Sequence, residues 1–257
     1  MLAPLELPRR DAEEFAGSLR ALVVRHPIDP ALAHALKYGE APAAGLRRWA
    51  KDFYHYVKDD AQGTAAMLAR CRDRALFLHL SAALGRKAGF YQTGDMLGLY
   101  RRFTRALGID DAELEAHWAC AETYGGLFTK RALQHEGFEE GWAASYLCSE
   151  GALRRILADE APLLCQRGIA EYMQRAYALA ADAVAFWRTW EDFDGLEGAD
   201  AWDLLPRIAW DASLQARVRC AFAHALSVYA CMRRAWSALV MERYREPTFV
   251  WPRRRAT

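Results

Sequence analysis

No stretch of this chain sustains the period-two alternation of a half-buried strand, and that constrains its fold more than any single motif. Alanine is abundant and leucine, arginine and glutamate are common, a composition that favours helix throughout. The expected helices lie at 11–24, 30–38, 43–70, 72–86, 93–107, 111–134, 138–158, 166–191 and 212–244. The longest non-helical connection is 192–210, DFDGLEGADAWDLLPRIAW, with one turn at 200–205. Punctuation supports these limits. Gly39 ends one helix, and Pro42 stands where the next begins. Asp110, after the Gly108 stop, and Asp211 are placed as N-caps. No repeat, low-complexity tract or linker divides the chain. The expectation is one all-α domain over 1–257, with a basic tail at 252–257.

Hydrophobic residues form 53% of the 257, enough for a substantial core. The net charge of +1 argues against nucleic acid or an acidic membrane surface as partner. Arg253–Arg255 is too short a basic block to change that. No apolar run approaches the roughly 18 residues of a membrane span. MLAPLELPRR lacks the basic-then-apolar order of a signal peptide. The six cysteines (Cys71, Cys120, Cys148, Cys165, Cys220, Cys231) never stand in CxxC spacing. They read as reduced, mostly buried packing residues, which places the protein in the cytoplasm.

Four segments carry a family resemblance. Residues 26–71 open with His26-Pro27, a short helix and a turn, then a long helix of form LxxWxxxFYxY. Then come LYRRFTRALGIDDAELE at 99–115, SYLCSEGALRRILADEAPLL at 145–164 and EYMQRAYALAADAVAFW at 171–187. In this order they resemble pyrroloquinoline-quinone synthase and its relatives in the heme-oxygenase-like superfamily. The resemblance implies a bundle of about seven or eight helices around a central cavity. It also implies, by family habit, a homodimer. It does not fix the function, because the superfamily includes a cofactorless oxidase, diiron oxidases, thiaminase II and heme oxygenases.

The diiron members read His-x3-Asp-x2-His on the late helix. Here Asp182 is flanked at those positions by Ala178 and Ala185. Their earlier Glu/His pair falls in SAALGRKAGFYQTGDML, where Asp95 is the one acid. Glu150 matches the mid-chain glutamate. Two surviving carboxylates do not hold two irons, so no metal is expected. Thiaminase II chemistry would need a nucleophilic cysteine, for which Cys148 is available, and a late glutamate, which 221–236 lacks. Heme oxygenase chemistry would need a proximal histidine, such as His26 or His34, and a glycine-rich distal helix that is not evident.

The cofactorless synthase oxidises its substrate with O2 in a pocket of acid–base side chains. By resemblance, His26, Tyr172 and Arg175 fall at matching positions, and Asp52, Tyr56 and Asp59 share a face of the long helix by i, i+4, i+7 spacing. His55, Tyr56, Asp182 and Arg175 are the expected catalytic group, gathered within a few ångströms of one another. His26, Asp52, Asp59, Glu150 and Tyr172 are the expected substrate contacts. His55 would move a proton near neutral pH, and Arg175 would hold an anion. Plainer roles compete: His26 as a turn residue, His55 as a buried hydrogen-bonded histidine, Asp59-Asp60 as a solvated face, Glu150 paired with Arg154, the nine tryptophans as core. The family's arginine is Asp52 here, and its late lysine is absent unless Arg233 or Arg234 replaces it.

The sequence therefore suggests a metal-independent oxidase or oxygenase of a natural-product pathway, with O2 as co-substrate and a small aromatic or amino-acid-derived substrate. Its alternatives are a non-catalytic ligand-binding or partner protein and a diiron oxidase with an atypical ligand set.

Overall fold

The structure, a computed structural model, describes residues 10–89, 95–157 and 168–245, and of 194–200 the backbone alone. The basic tail at 252–257 and Cys165 lie outside the described residues. Every regular element among them is helical: α1 Ala12–Arg25, α2 Ala31–Tyr38, α3 Ala43–Leu68, α4 Arg74–Lys87, α5 Met96–Ala106, α6 Asp111–Ala116 and α7 Ala121–Glu136. Next come α8 Phe138–Trp142, a π-helical turn Ala143–Leu147, α9 Glu150–Arg154, α10 Ile169–Tyr177, α11 Ala185–Asp203, α12 Leu205–Ile208 and α13 Ala212–Val240. No helix among the described residues is long and apolar enough to cross a membrane.

Aspartate begins many of these helices. Asp11, Asp73, Asp95, Asp110 and Asp211 each accept a hydrogen bond from a backbone N–H in the first turn. That satisfies a donor the helix leaves orphaned. Gly39 closes α2 at φ 70°, in the left-handed region. The longest elements, α3 and α13, form the centre. α3 packs on α4, α5, α7 and α13, and α13 also packs on α7, α8, the π turn and α2. Gly126 lets α7 close on α13, because a Cβ there would collide with Met232. Trp49, Trp142, Trp187 and Trp236 are fully buried, whereas Trp118 and Trp210 lie exposed, outside the core expected for them.

Four expected elements are cut differently. The helix over 111–134 divides at His117–Cys120, where the backbone extends and the Cys120 N–H donates to Asp52 at 2.7 Å. The helix over 138–158 passes through the π turn, stops at Cys148 and restarts with Ser149 as N-cap. The helix over 166–191 breaks at Ala178, which adopts φ 53° and caps α10. Leu179, Ala183 and Val184 then turn inward, and their burial holds the break in place. In the opposite sense, 192–203 continues α11 instead of forming a connection. Its two glycines cost only about 1 kcal/mol each in a helix, and Trp187 and Phe193 on the same helix are buried.

Candidate functional site

A cavity of about 310 Å³ opens between α3, α4, α5, α7, the π turn, α11 and α13, a size that suits one small molecule. One stripe of α3 faces it: Phe53, Tyr56, Val57 and Asp60, at i, i+3, i+4 and i+7. Phe53 stacks on Trp190 of α11, with centroids 4.9 Å apart and planes 12° apart. Tyr56 lies nearly parallel to Trp190 at 6.3 Å. Trp236 of α13 meets Phe53 and Tyr56 edge-on at 5.1 and 5.8 Å. The cavity therefore has a flat aromatic wall of fixed orientation, the kind of surface that receives a planar ligand.

Opposite charges line the other side. Asp60 is bonded by Lys87 of α4 at 3.0 Å and by Lys130 of α7 at 3.3 Å, so one carboxylate ties three helices together. Lys87 also reaches Thr64 Oγ1 at 3.3 Å. The Lys130 ammonium lies 4.7 Å from the centre of the Tyr56 ring, a cation–π contact. Burial works against the Asp60 charge, but the two lysines outweigh it and hold the carboxyl well below the usual range. Burial likewise pulls Lys130 down, yet Tyr56 and Asp60 prevail and leave it above its ordinary value. Burial pushes the Tyr56 phenol up.

The π turn supplies the third polar group. A π turn inserts one residue per turn and re-aims the side chains after it, and such turns often mark functional sites. Ser145 within it, then Ser149 and Glu150, all face the cavity. Ser145 Oγ accepts from Gln134 at 2.9 Å. Glu150 Oε1 accepts from the Tyr229 hydroxyl and, at 3.2 Å, from Arg233, whose side chain is fully buried. Arg233 thus stands near the site in α13, while Arg234 is exposed.

Of the residues expected from sequence, the structure brings Tyr56 and Glu150 to this cavity and places the others elsewhere. Asp52 lies behind the wall. It accepts from the Cys120 N–H, from Trp236 Nε1 at 3.0 Å and from the Thr123 hydroxyl. Burial raises its pKa, but His117, Thr123 and Cys120 together bring it below the ordinary value. His55 and Asp59 face a separate surface depression with Tyr124, Phe128 and Arg131. His55 Nε2 donates to the His117 carbonyl at 2.9 Å, and Asp59 pairs with Arg131. Burial pulls the His55 pKa down, partly offset by that carbonyl. His26 caps α1 through its backbone. Tyr172 is flanked by Lys37 and Arg175 at 5.2 Å each, on the outside of α2 and α10.

Asp182 departs furthest from expectation. It is exposed on the turn after the Ala178 break, where its carboxylate accepts from the Ala183 N–H at 3.0 Å. The helical face shared with Arg175 does not exist, because the left-handed residue at 178 ends the helix between them. The expected group of four is therefore not assembled. The residues that sequence reasoning passed over are Lys87, Lys130, Ser145, Ser149 and Tyr229, whereas Asp60, weighed with Asp59 as a solvated face, lines the cavity. Asp60 had a usable signal, since it continues the Phe53–Tyr56–Val57 stripe of α3. The lysines had none.

This donor set does not suit a pair of irons. Glu150 is engaged by Tyr229 and Arg233, Asp60 by two lysines, and Asp182 faces outward. Among the described residues no cluster of three or more His, Cys, Asp or Glu side chains could hold a metal ion. Cys148 is buried and its thiol is pushed up to about 12, so it stays protonated.

This architecture is the heme-oxygenase-like fold. Residues 22–146 match the TENA/THI-4/PQQC family. A CADD-like protein of unknown function from Nostoc punctiforme PCC 73102 superposes with a TM-score of 0.62 at 14% identity, over 90% of this chain and 98% of that one. A domain of unknown function with a heme oxygenase-like fold from Shewanella denitrificans OS217 gives 0.61 at 13%, over 87% and 89%. A TenA homolog from Pseudomonas syringae pv. tomato DC3000 gives 0.60 at 16%, over 90% of each chain. At these identities the likeness is one of fold. No curated protein matches the chain in sequence.

Proposed function

We propose that this protein binds a small aromatic or amino-acid-derived molecule in the cavity beside Tyr56 and oxidises it with O2 without a metal, as a step of natural-product biosynthesis. The observation that carries this reading is the union, in one cavity, of a parallel aromatic wall and fixed ammonium groups. The wall orients a flat, electron-rich ring. The ammonium groups favour the ionised form of that ring's acidic substituent, which gives up electrons more readily, and they stabilise the negative charge that develops on reduced oxygen. For a simple dehydrogenation the substrate loses two electrons and two protons, and O2 gains both to become hydrogen peroxide. Tyr56 and Glu150 are the candidate proton carriers. The same reading takes the protein to be a single-domain cytoplasmic homodimer.

One observation favours a second reading, in which the ligand is held without turnover. The shifts at Asp60, Lys130 and Tyr56 all run away from neutrality, whereas a general acid or base works best with a pKa near the working pH. The deciding experiment screens aromatic acids, phenols and amino-acid derivatives for binding under anaerobic conditions, then admits O2 and measures oxygen consumption and peroxide. Metal content is assayed in the same sample. Peroxide formed in step with substrate loss supports the oxidase. Tight binding with no oxygen consumed supports the holding protein. Turnover that follows two equivalents of iron overturns both.

A further inference from the structure

We propose that Lys130 is the anchor for the acidic group of the ligand, so that the cavity selects aromatic carboxylates over their neutral analogues. This assignment rests on the cavity described above as the ligand site, and it holds whether or not the ligand is oxidised.

An ammonium group has three N–H donors. At Lys130 one goes to Asp60 at 3.3 Å, and the group also rests over the Tyr56 ring, which takes no conventional hydrogen bond. Lys130 lines the cavity with its side chain 14% exposed, so its remaining donors point into a confined space that a ligand would fill. Lys87 is committed more closely, with Asp60 at 3.0 Å, Thr64 at 3.3 Å and the Tyr146 ring beneath it. Asp60, which lines the same cavity, therefore acts as a positioning residue that holds both ammoniums. Ser145 and Ser149 flank the same cavity, and each Oγ accepts a bond from the protein, from Gln134 and from the Ala152 N–H. Their hydroxyl protons remain to donate to an acceptor oxygen. Charged and neutral donors thus gather beside a flat aromatic wall. A planar ring bearing a carboxylate satisfies both features at once, because its ring meets the half-buried Trp190 and Tyr56 while its charge meets Lys130. A neutral amide of the same shape forfeits the charge-assisted bond.

The test is calorimetric titration of the intact protein, without oxygen, using indole-3-carboxylate and 4-hydroxybenzoate against their carboxamides. The acids should bind at least about tenfold more tightly than the amides, the scale of one charge-assisted bond in a partly desolvated site. Lys130→Met should remove that preference and Lys130→Arg should retain most of it, each variant first shown by circular dichroism to be folded. If Lys130→Met fails to fold, Lys130→Gln and the salt dependence of the wild-type preference decide in its place. Equal binding of acid and amide, no binding of either acid at millimolar concentration, or a folded Lys130→Met variant that keeps the preference would overturn the assignment. Oxygen consumption read in parallel separates the two claims: selective binding without oxygen uptake removes the oxidase and leaves the anchor standing.

Discussion

The two sides of α3 are chemically alike in sequence and different in what they do. One side carries Phe53, Tyr56, Val57 and Asp60 and opens on the cavity. The other carries Asp52, His55 and Asp59 and turns toward α7 and the segment before it. Each side has aspartate beside aromatic residues. On the α7 side, protein groups meet the acids: Asp52 takes an amide, an indole and a hydroxyl, and Asp59 takes an arginine. On the cavity side, Asp60 orients Lys130, whose remaining donors face the cavity. Polar residues in a family-like position are thus not enough to define a site; what matters is whether the protein itself has already used their bonding capacity.

The largest effect is expected at Asp52, whose carboxylate gathers three donors behind the cavity wall. Replacing it with alanine strands the Cys120 N–H, takes the carboxylate acceptor from the Thr123 hydroxyl and leaves Trp236 Nε1 only Thr123 Oγ1, and should cost about 3–5 kcal/mol of stability. Urea denaturation checks this, and a loss below about 1 kcal/mol would mean that Asp52 is not a structural carboxylate.

The wall comes next. Trp190→Ala should weaken binding of an aromatic acid about tenfold, near 1.4 kcal/mol, with little change in the affinity of a small aliphatic acid. Equal losses for both ligands would place the aromatic ring elsewhere.

Asp60 should act more weakly on stability, because its side chain is one-third exposed. Asp60→Asn should cost about 1 kcal/mol at neutral pH. Its depressed pKa fixes the sign of the pH effect. The contribution is complete above the unfolded carboxyl value of about 3.9 and is lost as pH falls through the folded value. The variant should therefore have a flatter acid limb than the wild type below about pH 4. Parallel acid limbs would show that the lysines do not hold this carboxylate.

The smallest effects belong to the residues that the structure turns away. Asp182→Ala and His55→Gln should leave ligand affinity within about twofold of wild type. His55→Gln should still alter pH dependence. The half-buried imidazole has a lowered pKa, so it favours the native state when neutral and opposes it as pH falls below about 6.5. The variant should lose that slope. A large drop in affinity from His55→Gln would move the site to the depression beside α7, and one from Asp182→Ala would move it to the turn after α10.

Much of the fold was legible in the residues. The aspartate caps, the Gly39 stop, the long α3 and α13 and the lack of strands arise from local chemistry, which acts over a few neighbouring positions and leaves its mark in sequence. The break at Ala178 was not legible. Alanine is the best helix former, and only the burial of Leu179, Ala183 and Val184 makes a left-handed residue worthwhile there. That one dihedral moves Asp182 from an expected pocket to solvent. The π turn likewise has no local signature in AASYL, yet it directs Ser145 toward the cavity. Lys87 ends α4 and Lys130 stands in α7, and nothing in the pattern of either helix connects them. Local residue chemistry alone makes the chain helical and sets where most helices begin. Which charges meet is settled by packing instead, because ion pairs such as Lys87–Asp60–Lys130 depend on distances across helices that local periodicity does not encode.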